Sequence, residues 1–386
     1  MLKNTDSEIY NLIISERYRQ EDEIELIASE NYASIEVLEA VSILTNKYSE
    51  YPKRYYAQEY IDKIENIAID RCKKLFNAEY VNVQPLSGSP ANLAVYLAFL
   101  KPDKVLLSLD QHLSHHPLNF SGLLYDIIPY NLDRETLINM DEVEKLAIEN
   151  KPKMIIAGFS SYSRSLDWKR FRKISDKVAI LMADISHISL IAVLENPVPI
   201  CDVVTSTTHK TLRPRAIIMS KQEFSADLAR AVFPVQPHEN LIAAKAVAFK
   251  EALSDEFRQY SRQVIDNAKV LSEELMNYFK IVSNGTDNHI ILIDVFGSFV
   301  TKEAEKTLEY VISTNKNMIP YDTRKALDPS IRITPAVTTR MKEPEMKIIA
   351  NIFYEVIKNK DNKDILKDLK NKVLNLCRKF PIYPNL

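Results

Sequence analysis

Between residues 80 and 219 short apolar runs alternate with amphipathic stretches, and this pattern sets the expected fold. The runs at 80–83, 105–109, 127–130, 154–157, 178–183, 203–205 and 216–219 read as strands, with helical spacing at 89–100, 135–149 and 169–176 between them. Alternation of this kind predicts an α/β fold whose large domain holds a mainly parallel seven-stranded sheet covered on both faces. Ahead of it lie a charged helical stretch at 6–28 and a helix at 34–45, with Val37, Leu38, Val41 and Leu44 on one face. A polar, aromatic segment at 46–58 and a long amphipathic helix at 59–77 follow. Beyond it, 239–279 is helical with apolar residues at Leu241, Ala244, Ala248 and Leu253. A smaller α+β domain then follows, with strands at 289–295 and 331–334 and helices at 302–314, 343–357 and 362–379. The division expected is an N-terminal arm (1–58), a large domain (59–250) and a small C-terminal domain (251–386).

Composition narrows the class without naming a function. A length of 386 residues suits two domains, and the net charge of −2 gives no reason to expect a nucleic-acid partner. No apolar run is long enough to cross a bilayer, and the first residues lack the apolar core of a signal peptide, so a cytoplasmic location is expected. The three cysteines, Cys72, Cys201 and Cys377, are far apart and show no metal spacing. One count is abnormal: the chain has 5 glycines, where ordinary usage of about 7% would give roughly 27.

The candidate chemistry collects at strand ends, where open α/β sheets place their ligand crevice. Lys210 follows the apolar run 201–204 behind four hydroxyl residues and His209. Partly desolvated, such a lysine favours the neutral amine that forms a Schiff base with an aldehyde; the plainer alternative is a solvated loop lysine. Asp184 ends a strand and needs a cation, either a protonated pyridine nitrogen or a basic side chain. Ser87, Gly88 and Ser89 open a helix after a strand, which suits a phosphate as well as an ordinary serine cap. His112 begins a His-Leu-Ser-His-His run without the glutamate or further ligands of a zinc motif, and a ring stacking on a flat cofactor suits it better. Arg332, within an apolar strand, fits a carboxylate or an internal salt bridge. Glu50, among tyrosines, reads as an acid–base group or as plain surface. Taken together, these are the parts that pyridoxal 5′-phosphate (PLP) and an amino acid require.

On these motifs the chain resembles the serine hydroxymethyltransferases. The similarity runs through ELIASENY (25–32), LTNKYSE (44–50), KRYY (53–56), NVQPLSGSPAN (82–92), HLSHHPLNFSG (112–122), KPKMIIAGFSSYS (151–163), TSTTHKTL (205–212), NGTDNHIILID (284–294) and SIRITPAVTTR (330–340). The resemblance implies a PLP-dependent transferase of fold type I that interconverts serine and glycine with tetrahydrofolate as the one-carbon acceptor. By position it implies that Lys210 carries the Schiff base beside His209, that Asp184 pairs with the pyridine nitrogen and that His112 stacks on the ring. Ser87, Gly88 and Ser89 would hold the phosphate, Ser163 and His187 would sit near the ring oxygen, and Arg215 would line the site. Arg332 with Ser29 would bind the substrate carboxylate, and Leu113 and Asn317 would contact folate. Glu50 would transfer protons, flanked by Tyr55 and Tyr56. The segment that holds them, with Tyr48, would complete a neighbouring subunit's site. A homodimer is therefore expected, with a tetramer left open.

The chain departs from the family at glycines. Those around Tyr51 and Lys53 and after Tyr56 are gone, the pair before His112 reads Asp110-Gln111, and the loop after Lys210 reads Arg213-Pro214-Arg215-Ala216-Ile217. The glycine-rich loop after Pro234 reads Val235-Gln236-Pro237-His238-Glu239. Two other readings stand beside the transferase: a folate-independent aldolase acting on 3-hydroxy amino acids, and a non-catalytic or engineered homologue that keeps the fold.

Overall fold

The computed structural model of the chain describes residues 2–43, 59–101, 106–109, 124–133, 135–190, 192–211, 215–232, 238–295, 306–317, 319, 330–338 and 340–383. Two compact units emerge. The larger comprises Ala33–Gln263 with Ile319–Arg324, and the smaller Met1–Tyr32, Val264–Met318 and Lys325–Leu386.

The first strand, β1 (Ile24–Glu25), belongs to the smaller unit. The next seven build one sheet in the larger: β2 (Tyr80–Asn82), β3 (Leu106–Leu109), β4 (Ile127–Tyr130), β5 (Met154–Ala157), β6 (Ile180–Asp184), β7 (Val203–Thr207) and β8 (Ala216–Ser220). Their order is β2-β8-β7-β6-β5-β3-β4. The sheet is mixed, because β8 runs antiparallel to both β7 and β2 while the pairs from β7 through to β4 are parallel.

Successive side chains of a strand point to opposite faces, and here each face has its own core. Ile155, Ala157, Leu181, Ala183, Val204, Ile217 and Met219 belong to one, with Phe76, Phe171 and Phe249 from helices Glu59–Phe76, Trp168–Ser175 and Glu239–Ala252. Met154, Ile156, Met182, Val203, Ala216 and Ile218 belong to the other, under helices Gly88–Phe99 and Ser225–Val232. Burial on both faces explains why these strands read as unbroken apolar runs.

In the smaller unit an antiparallel sheet has the order β12-β13-β10-β9, from β9 (Lys280–Ile281), β10 (Ile291–Asp294), β12 (Asn315–Asn317) and β13 (Ser330–Ile333). Helices Glu343–Lys358 and Lys363–Cys377 pack on its core through Ile349, Phe353, Leu369 and Val373. The helix Asp255–Leu275 carries the chain across the unit boundary.

Three sequence expectations differ from the fold. The helical stretch 6–28 ends at Glu21, and Ile24–Glu25 instead pairs in parallel with β11 (Ile312–Ser313). This pairing is why residues 2–32 group with the C-terminal unit rather than with an arm of their own. The helix read at 302–314 is helical at 306–309 among the described residues, but it ends there and Ile312–Ser313 form β11, because pairing with β1 overrides local spacing.

Glycine scarcity shows in the backbone. Asn77, Lys151, Ser283 and Asn284 take positive φ of 52°, 48°, 60° and 51°. Lys151 caps the helix Met140–Asn150 in the left-handed conformation usually given to glycine.

Candidate active site

Strand alternation places the polar residues of the site. Met182 of β6 faces the core beneath the helix Gly88–Phe99, so Asp184, two residues on, lies on the same face. Val203 of β7 does likewise, and Thr205 follows it. Asn92, one turn into that helix, meets both: its Nδ2 donates to Asp184 Oδ2 at 2.9 Å, and its Oδ1 accepts from Thr205 Oγ1 at 2.7 Å. The other Asp184 oxygen accepts from the Ser186 backbone N–H at 3.0 Å. Both carboxylate oxygens are thereby oriented.

Lys210 joins the same group of residues. Its Nζ donates to Thr207 Oγ1 at 3.0 Å, and that hydroxyl donates to the Ser186 carbonyl at 3.1 Å. Thr207 N–H in turn donates to Ser186 Oγ at 3.0 Å. Thr207 and Ser186 thus link the amine to the carboxylate. Next to them the Thr208 hydroxyl is buried and has no hydrogen-bond partner among the described residues.

Two of the five glycines abut these strand ends. A Cβ on Gly88 would lie 2.9 Å from Thr207 Cγ2, so a side chain there would force Thr207 or the start of the helix to shift. Gly158 follows β5 at φ +139°, and a Cβ there would fall 2.0 Å from the Asp184 carbonyl oxygen. Ser87 caps the helix without a side-chain cap bond, so no capping hydroxyl occupies the amides of its first turn. Ser89 is exposed at the same turn.

The remaining candidates of the larger unit lie on neighbouring turns. His209 Nδ1 is 3.4 Å from the Arg215 carbonyl oxygen, and the Thr208 N–H donates to that oxygen at 2.6 Å. Burial first, then the charge of Lys210, holds His209 down to about 4, so its imidazole is neutral at pH 7. Arg215 itself takes φ 84°, a left-handed conformation that costs a non-glycine residue about 1–2 kcal/mol. Ser163 and His187 are buried on the turns after β5 and β6.

Arg332, Ser29 and Asn317 belong to the smaller unit. Ile331 and Ile333 enter its core, which puts Arg332 on the opposite face of β13, in register with Leu292 and Asn315. Burial lowers its guanidinium to about 10, still charged at neutral pH. Asn317 pairs with Ser330 across the same strands. Ser29 is exposed in a single 3₁₀ turn, and its segment is tied to the end of β13 by the Thr334 N–H donating to the Leu26 carbonyl at 3.0 Å. Glu50, Tyr48, Tyr55, Tyr56, His112 and Leu113 lie outside the described residues.

The residues present fit PLP. An oriented carboxylate suits a pyridinium nitrogen, a lysine amine is linked to it by three hydrogen bonds through Thr207 and Ser186, a helix N-terminus with an unused serine cap suits a phosphate, and a buried hydroxyl awaits a partner. Sequence reasoning quoted Asn92 only as part of a motif and gave it no role. The signal that could have found it is its place one turn after the Ser87 cap, on the helix that covers the Asp184 face.

Comparison with protein families agrees with this geometry. The model described as serine hydroxymethyltransferase matches residues 2–353. With nearly the whole chain matched, the protein belongs to the serine hydroxymethyltransferase family, PLP-dependent enzymes that interconvert serine and glycine with tetrahydrofolate as cosubstrate.

Proposed function

We propose that this chain performs the serine–glycine reaction of its family with Lys210 as the covalent anchor of PLP and Asp184 as the partner of the pyridine nitrogen. The observation that carries this reading is the hydrogen-bonded set Lys210–Thr207–Ser186–Asp184–Asn92 at the ends of β6 and β7. Bound there, PLP supplies an electron sink for the bond between Cα and Cβ of serine.

The protein's own groups do the rest. Asp184, fixed by Asn92, would keep a proton on the ring nitrogen. Ser87, Gly88 and Ser89 with their helix N-terminus would bind the phosphate, His112 would face the ring, and Ser163, His187 and Arg215 would line the site. His209, neutral at working pH, orients rather than donates charge. Arg332 and Ser29 take the amino-acid carboxylate, and Leu113 and Asn317 contact folate. Glu50 moves the proton, with Tyr48, Tyr55 and Tyr56 around it on a segment given to the neighbouring subunit of a homodimer. Mixing inactive Lys210→Ala and Glu50→Gln chains tests the shared site: recovered activity supports it, and none contradicts it. Three buried, unpaired cysteines suit the reducing cytoplasm; recovery of the chain in a secreted fraction would contradict that compartment. No helix among the described residues is long and apolar enough to cross a membrane.

The test of the reaction is serine cleavage with and without tetrahydrofolate, in the wild type and in Arg332→Lys. The reading predicts folate-stimulated turnover, and a sharp loss of serine affinity in the variant, which keeps the charge but lacks the two-pronged guanidinium. Cleavage of 3-hydroxy amino acids that ignores folate would mark an aldolase instead. No PLP-dependent turnover of either kind would mark a non-catalytic homologue.

A further inference from the structure

Lys245 is a buried lysine that the reaction above does not use. It sits in the helix Glu239–Ala252 and is 1% exposed. Its Nζ donates to the carbonyl oxygens of Val83 at 2.5 Å and Pro85 at 2.9 Å. Those carbonyls belong to the irregular stretch between β2 and the Ser87 cap, past the last ladder bond of the strand. Buried carbonyls there need donors from elsewhere. The neighbouring Gln84 is held as well, its N–H by Asn82 and its side chain by Glu65.

A lysine in this position is an expensive way to fill space. Burying an ammonium is costly unless it is paired with a charge, and among the described residues its two hydrogen-bond partners are both carbonyls. Methionine or leucine would fill a helix core position at no such cost. What the amine adds is two donors aimed at the two carbonyls that lead into the serine–glycine turn. A neutral amine has two N–H groups, so both bonds survive loss of its proton.

We propose that Lys245 is a positioning residue for the phosphate-binding turn, clamping Val83 and Pro85 so that Ser87, Gly88 and the helix N-terminus are set to receive the cofactor's phosphate. This rests on the assignment of Ser87–Ser89 as the phosphate cradle. The charge of Lys245 adds to the effect. Burial first, then Arg215, pushes the amine down to about 7, against the opposing pull of Cys72, Glu65 and Glu239. Among the described residues these titratable groups act on it from the helix Glu59–Phe76, from its own helix and from the residue ahead of β8. A dianionic phosphate nearby favours the protonated form, and by linkage the protonated form favours the phosphate.

The experiment compares PLP with pyridoxal, which lacks the phosphate, in titrations of the apoprotein followed by absorbance and fluorescence. In Lys245→Met the PLP affinity should fall about tenfold, the cost of one or two buried hydrogen bonds, with pyridoxal affinity unchanged. Lys245→Gln, which restores amide donors, should recover part of the loss. The wild type needs no variant to fold: its PLP-to-pyridoxal affinity ratio should fall as pH rises from 7 to 9, where the phosphate stays dianionic. Equal losses for PLP and pyridoxal in Lys245→Met, with no recovery in Lys245→Gln, would overturn the proposal; a flat wild-type ratio across that range would overturn the contribution of charge. A Ser87→Ala, Ser89→Ala double variant separates the two assignments. If it lowers the ratio and the Lys245 variants do not, Lys245 has no such role; if it leaves the ratio unchanged, the cradle itself lies elsewhere.

Discussion

Asn92 and Asp184 are 92 residues apart in sequence and joined by a 2.9 Å hydrogen bond, with the Asn92 carbonyl oxygen held in turn by Thr205. The bond orients the carboxylate on which the ring-nitrogen assignment depends. It also links the helix that begins at the serine–glycine turn to the strand that carries Asp184.

Removing Asn92 should therefore loosen both. Asn92→Ala leaves Asp184 Oδ2 and Thr205 Oγ1 without this partner, a loss of about 1–3 kcal/mol. Urea unfolding of the apoprotein measures the stability, and PLP titration should show weaker binding as well. Unchanged stability and PLP affinity would mean that the bond orients nothing of consequence.

Arg215 takes the largest positive φ of the described non-glycine residues, 84°. Arg215→Gly should relieve about 1 kcal/mol of backbone cost, less the greater freedom that glycine has when unfolded. The apoprotein should thus be as stable as the wild type or more so, while PLP binding weakens through loss of the lining guanidinium. A clear drop in apoprotein stability would show that this conformation is not strained.

Much of the fold was legible because its sheet is buried on both faces, which writes continuous apolar runs into the chain. Leu181 and Ala183 face one core and Met182 the other, and no polar residue breaks that stretch. Two-residue strands such as Ile24–Glu25 leave no periodicity to read; they exist because of a partner 288 positions away, at Ile312–Ser313. The candidates legible in the sequence were those whose chemistry resides in a single side chain, as at Lys210 and Asp184. Asn92 and Lys245 were not, since each matters only through what the fold sets opposite it.

Glu25 gives a pH signature. Burial raises its carboxyl to about 7, although the Ile27 N–H, which donates to it at 2.8 Å, opposes the rise. A raised folded pKa means that stability is fully present below the unfolded value of about 4.5 and is lost as pH climbs through 7. Glu25→Gln keeps an acceptor for Ile27 and removes the charge. The variant should gain on the order of 2 kcal/mol over the wild type at pH 8 and little at pH 4.5, by urea unfolding at each pH. A gain that does not change with pH would contradict the burial of a charge at this position.

The account as a whole depends on which amine holds the cofactor. Purified protein incubated with PLP should be reduced with borohydride, digested and mapped by mass spectrometry. The pyridoxyl group is predicted on the peptide containing Lys210, and Lys210→Ala should lose both that label and the visible absorbance of bound PLP. A pyridoxyl label on another lysine, with Lys245 the nearest rival because its amine is held near 7, would contradict the assignment and the site built around it.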